Sequence, residues 1–142
     1  MSGYTLTRTV PRPYAETVRL VRDALADQGF GVLTEIDLAA TMREKLGADL
    51  PPQVILGACR PPLALAAVQA EPSIAAVLPC NVVVRAIDDA TTLVEAFDPA
   101  AMTAMTANAD LEPIADEAGR LLGAALAALG ADPGDIAVAG RS

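Results

Sequence analysis

The sequence predicts an α/β chain of the α+β kind: a single two-layer domain with a mixed β-sheet of about five strands and helices packed on it. Three observations carry this. Hydrophobic residues make up 53% of the 142 positions and charged residues 20%, the balance of a globular chain and not of a disordered one. Apolar positions switch repeatedly between a period of two and a period near 3.6. Gly, Pro and Asp stand at the switches, where turns and caps need them. Read in order, the elements run β-α-β-α-β-α-β-β-α-α.

Thr5 to Val10 alternates as a strand, and Pro11 and Pro13 end it. Tyr14, Val18, Val21 and Leu25 then recur at helical spacing, with Pro13 at the start and Gly29 at the stop. Phe30 to Ile36 reads as a second strand. Leu38 to Leu46 is a short helix, capped by Asp37 and ended by Gly47. After a loop from Asp49 to Pro52, the apolar run Gln53 to Ala58 reads as a buried strand. Pro61 or Pro62 opens a helix that reaches about Ala70, where Glu71-Pro72 breaks it. Ile74 to Leu78 is apolar, and Pro79 interrupts it. Cys80 to Ile87 is a β-branched strand, Asp88-Asp89 a turn, and Thr91 to Phe97 the hairpin partner.

Asp98-Pro99 caps a short helical stretch through Met105. The longest element starts at Asp110. Leu111, Ile114, Ala118, Leu121, Leu122, Ala125 and Leu129 make one apolar stripe along it, and Gly130 stops it. Gly119 and Gly123 on that helix allow close backbone approach to the sheet or to a second subunit. Residues 1–130 thus form the domain, and 131–142, rich in Gly and Pro, read as a flexible tail. Strand-helix-strand units favour parallel neighbours with right-handed crossovers, and the last two strands an antiparallel hairpin. Hence the expectation of a mixed sheet.

Composition closes several routes. The net charge is −8 and aromatics are 3%, so the chain lacks both the cationic footprint and the stacking platforms of a nucleic-acid binder. Its acidity also repels anionic lipid. No apolar run is long enough to span a bilayer. Met1 to Val10 has no apolar core of the signal-peptide kind. A cytoplasmic setting, where thiols stay reduced, is expected. There is no histidine, which removes the usual general base, the commonest metal ligand and the base of Ser–His and Cys–His catalysis. Two thiolates alone fall short of a zinc site, and no cofactor is called for.

The remaining candidates cluster around the two cysteines. Gly57-Ala58-Cys59-Arg60-Pro61 closes a strand and opens a helix, and Leu78-Pro79-Cys80-Asn81 leads into the next strand. A thiol at the carboxyl end of a strand lies at an edge where open α/β sheets bind ligands. Helix-terminal amides and Arg60 would stabilise a Cys59 thiolate there. The plainer reading is that both cysteines are small buried apolar residues. Glu35 and Asp37 share one strand face. Paired acids can serve acid–base chemistry, but a rim carboxylate and a helix cap are the ordinary outcome. Asp88-Asp89 reads as turn chemistry alone.

At these motifs the chain resembles the bacterial family called domain of unknown function 302. The resemblance runs from Gly29-Phe30-Gly31 and the acidic Glu35 and Asp37, through Gly57-Ala58-Cys59 with Pro61, to Glu71-Pro72 and Leu78-Pro79-Cys80. Arg60 stands where the family pattern has asparagine. The resemblance implies a small mixed α/β fold that forms a homodimer, and it implies no activity.

Two functional expectations follow. In the first, the chain is a homodimeric binding or accessory module whose cleft lies near Cys59, Arg60 and Cys80, with Asn81 and Glu35 as further ligand contacts. Arg60 would suit a small anionic ligand. In the second, it is a thiol-dependent redox enzyme or sensor in which Cys59 attacks and Cys80 resolves. A purely structural subunit would need neither thiol.

Overall fold

The computed structural model describes residues 3–129 and 136–138. The chain runs β1 (Thr5–Val10), α1 (Tyr14–Asp27), β2 (Gly31–Asp37), α2 (Leu38–Leu46), β3 (Gln53–Cys59) and α3 (Pro61–Ala70). A 3₁₀ turn over Pro72–Val77 leads to β4 (Cys80–Ala86) and β5 (Thr92–Phe97). Then come α4 (Ala100–Thr106), a second 3₁₀ turn (Ala109–Leu111), α5 (Glu112–Ala127) and β6 (Ile136–Val138). The predicted order of strands and helices therefore stands through α5. The segment 131–142, expected as a tail, contributes the strand β6 on β1. Its other residues lie outside those described.

The strands lie in the order β2-β3-β4-β5-β1-β6. The α+β class holds, but every described pairing is antiparallel, so the expected parallel neighbours are absent among the described strands. The reason is where each helix returns the chain. Helix α1 carries it from β1 across the sheet to β2, with β3, β4 and β5 lying between the two. Helices α2 and α3 do not cross at all: each is an insert in the connection between antiparallel neighbours, β2–β3 and β3–β4. A strand-helix-strand pattern looks the same in both cases.

Local chemistry sets the ends of the elements. The Asp37 side chain accepts a hydrogen bond from Ala40 N at 2.9 Å and caps α2, satisfying a donor the helix leaves open. Gly47 closes the same helix at φ 66°, a left-handed conformation that favours glycine. The last helix starts two residues later than the sequence suggests. The Asn108 side chain accepts from Asp110 N at 3.0 Å, which holds a tight turn before α5 begins at Glu112.

One sheet face carries the main core. Val54 and Leu56 of β3, Val82 and Val84 of β4 and Val94 and Ala96 of β5 pack under Val21 and Leu25 of α1 and Leu122 and Leu126 of α5. Each side chain of this size buried from water contributes about 1.5–3 kcal/mol. The alternate residues Ile55, Val83 and Leu93 stay half-buried on the other face, and Phe97 at the end of β5 packs against the core. A second cluster joins Ala67 of α3, Ile74, Met102 of α4 and Leu111 and Ala115. No helix among the described residues is long and apolar enough to cross a membrane.

Candidate functional site

The end of β3 and the start of β4 bring the two cysteine motifs together. Ala58 pairs with Cys80 and Gly57 with Asn81, so Cys59 stands one residue beyond the partner of Cys80. Both cysteines line a cavity of about 280 Å³. Phe30 and Leu33 wall it on the β2 side, and Leu63 and Ala67 on the α3 side. Met102, Ile114 and Ala118 complete it from α4 and α5. These walls are almost wholly apolar. Arg60 is the one charged side chain among the described residues that line it.

The backbone around the cavity is fitted closely. Val32 pairs with Ala58 and Thr34 with Gly57, which leaves Leu33 as the extra residue of a β-bulge. The bulge re-aims that side chain, and Leu33 stands 65% exposed at the cavity rim. Over Gly57 there is no room for a side chain. A Cβ there would collide with Thr34 Oγ1 and lie 2.7 Å from Pro79 Cγ. The glycine of the Gly-Ala-Cys motif thus lets β2 and the Leu-Pro-Cys segment close on β3 together. The Leu78–Pro79 peptide is cis.

The thiols are neither bridged nor equivalent: Cys59 is half-buried and Cys80 is 8% exposed. Burial, and secondarily the nearby Cys59, pushes the Cys80 thiol up to about 11, so Cys80 is protonated at neutral pH. The helix-terminal amides expected to face Cys59 are not there. Pro61 and Pro62 have no N–H, and the N–H groups of Leu63 and Ala64 both donate to the Arg60 carbonyl at 3.0 Å. The Arg60 side chain points its Nε–H at the Gln28 carbonyl, 3.2 Å away, beside Gly29, where a Cβ would sit 3.0 Å from that Nε.

The other sequence candidates lie elsewhere. Asn81 is exposed and lines a separate groove with Tyr4, Val83, Glu95 and Phe97. Glu35 forms an ion pair with Arg22 of α1 and shares a groove with Asp37 and Tyr14. Burial, and then the charges of Asp37 and Glu35, pushes the Tyr14 hydroxyl up. Glu71 accepts a hydrogen bond from Asn108 Nδ2 at 2.8 Å, and Asp88 accepts from Ala90 N in the hairpin turn. The structure therefore joins Cys59, Arg60 and Cys80, and leaves Asn81 and Glu35 apart from them. Among the described residues, no three His, Cys, Asp or Glu side chains gather to hold a metal ion. Sequence reasoning missed Leu33, Met102, Ile114 and Ala118. The head of the α5 stripe was the one available signal for the last two, and it reads equally as core.

The sequence matches the model of the family described as Domain of unknown function DUF302 over residues 6–129. The chain belongs to this family. The match spans both cysteine motifs and every described element between β1 and α5, so the resemblance at the motifs extends to the whole fold. The chain is also similar to the crystal structure of an uncharacterized conserved DUF302 protein from Bacillus stearothermophilus. The two share 28% identity and superpose with a TM-score of 0.82, over 90% of this chain and 99% of that one. No curated protein matches the chain. As a DUF302 domain, the protein carries a fold that is known and a family description that names no activity.

Proposed function

We propose that this DUF302 chain is a binding module for a small, mostly apolar molecule held in the cavity between the cysteine motifs. The observation that carries the reading is the cavity itself. Its volume is close to the lower end for ligand pockets, and its walls are apolar with one charged residue, Arg60, among them, in keeping with the mostly apolar lining of small-molecule sites. Cys59 and Cys80 serve as soft apolar wall. The redox alternative is less well supported. Cys80 is held as a thiol, and the two prolines take away the donors that would stabilise a Cys59 thiolate.

A fluorescent apolar probe such as N-phenyl-1-naphthylamine tests the reading. It is expected to bind the native protein one-to-one. Ala64→Phe, which enlarges a half-buried α3 residue of the cavity wall, is expected to abolish binding while the melting temperature stays within a few degrees. Equal binding by both proteins would remove the cavity as the site.

The reading includes a homodimer in a reducing cytoplasm. Two free cysteines suit that compartment. The sheet face away from the core, with Ile55 and Val83 half-buried on it, supports pairing of two copies. Sedimentation equilibrium of the wild type and of Val83→Glu tests this. Loss of the dimer in the variant is the expected result, and a monomeric wild type would dispose of it.

A further inference from the structure

The cavity has a chemical polarity that narrows its ligand, provided it is a binding site as proposed above. Its walls are aliphatic, aromatic and thiol groups, with Arg60 as the one charged residue. Arg60 is fixed there from outside the cavity by its Nε–H bond to the Gln28 carbonyl. That bond uses one of the five N–H donors of a guanidinium, and leaves the four on the terminal nitrogens. Arg60 has no ion-pair partner among the described residues. Glu117, a carboxylate that feels the Arg60 charge, is already held by Arg120. The two cysteines add soft wall and not charge, and Cys80 is a neutral thiol. A permanently charged, pre-positioned fork at the edge of an apolar chamber matches a planar carboxylate.

We infer that the ligand is an apolar molecule with a single carboxylate. Its apolar body lies along Leu63, Ala67, Met102 and Ile114, and its carboxylate is bound by the terminal nitrogens of Arg60. A zwitterion or polyanion fits poorly, since the walls offer no second charge. A neutral apolar molecule fills the chamber but leaves Arg60 to water.

Displacement of bound N-phenyl-1-naphthylamine by octanoate, 1-octanol and octylamine, each below its aggregation limit, tests the inference. Octanoate is expected to displace the probe at a concentration about tenfold lower than 1-octanol, as befits one charge-assisted pairing, and octylamine to be the weakest. Arg60→Gln is expected to remove the preference for octanoate while leaving 1-octanol unchanged. Arg60→Lys, which keeps the charge without the fork, is expected to retain part of it. Equal displacement by all three compounds, or an octanoate preference that survives in Arg60→Gln, would overturn the carboxylate assignment and leave the binding reading standing. A probe that never binds would instead end the binding reading, and this inference with it.

Discussion

Thr34 and Gly57 face each other across β2 and β3 so closely that the Thr34 hydroxyl occupies the space a Gly57 side chain would need. The contact ties the bulge at Leu33 to the Gly-Ala-Cys motif. It explains structurally why a glycine stands two residues before Cys59. Gly57→Ala is therefore expected to destabilise the fold by about 1–3 kcal/mol, the usual cost of overpacking. The loss would be read as a lower urea midpoint at unchanged slope. Adding Thr34→Ala should return part of it, since the two residues are in contact and their effects do not add. Pro79 Cγ, 2.7 Å from the same Cβ position, accounts for the rest.

Alkaline stability reports on Cys80. Its thiol is pushed from an ordinary 9.0 to about 11 in the folded chain, so folding favours the protonated form. The stabilisation is complete below pH 9 and is lost as the pH rises through 11. A decline of about 2–3 kcal/mol across that window is expected. Tyr14, whose hydroxyl is also pushed up, adds its own loss once the pH passes the ordinary tyrosine value of 10.0. Cys80→Ala should remove the first part of the decline and keep the second. Chemical denaturation at several pH values between 8 and 12 measures both.

Asn108 fastens the second apolar cluster from outside. Its Nδ2 donates to the Ala70 carbonyl at 3.1 Å and to Glu71 Oε1 at 2.8 Å, while its Oδ1 accepts from Asp110 N. One half-buried amide thus joins the end of α3 to the 3₁₀ turn that leads into α5. Asn108→Ala should cost about 2 kcal/mol, because bonds to a charged group and to the backbone are lost together. Glu71→Gln keeps an acceptor and should cost less than half as much. Thermal melts of the two variants give the comparison.

The two cysteines should label in order. Cys59 is half-buried and Cys80 buried, so native alkylation followed by intact mass is expected to add one group, on Cys59. The second should appear only on unfolding. Two rapid additions in the native state would contradict the placement of Cys80 in the core.

What the sequence showed and what it hid differ by range. The Asp37 cap and the Gly47 stop were legible because each is settled within four residues. The β4–β5 hairpin was legible through its Asp turn. Strand direction was not, because the β1-α1-β2 unit gives no sign that three other strands will fill the gap between its ends. The shared face of Glu35 and Asp37 followed from a period of two, but the Arg22 partner of Glu35 depends on how α1 crosses the sheet. The cavity was half-legible. Cys59, Arg60 and Cys80 stood out as motifs, whereas Met102, Ile114 and Ala118 look like any core residues until packing leaves a space between them.

The most direct test of the binding site uses two methionines three residues apart. Met102 is 2% exposed and lines the cavity, whereas Met105 is 57% exposed and lies outside it. With methyl-labelled methionine, titration with octanoate should shift the Met102 methyl resonance in a saturable way and leave Met105 in place. A Met102 resonance that does not move, or one that moves together with Met105, would contradict the cavity as the site of binding.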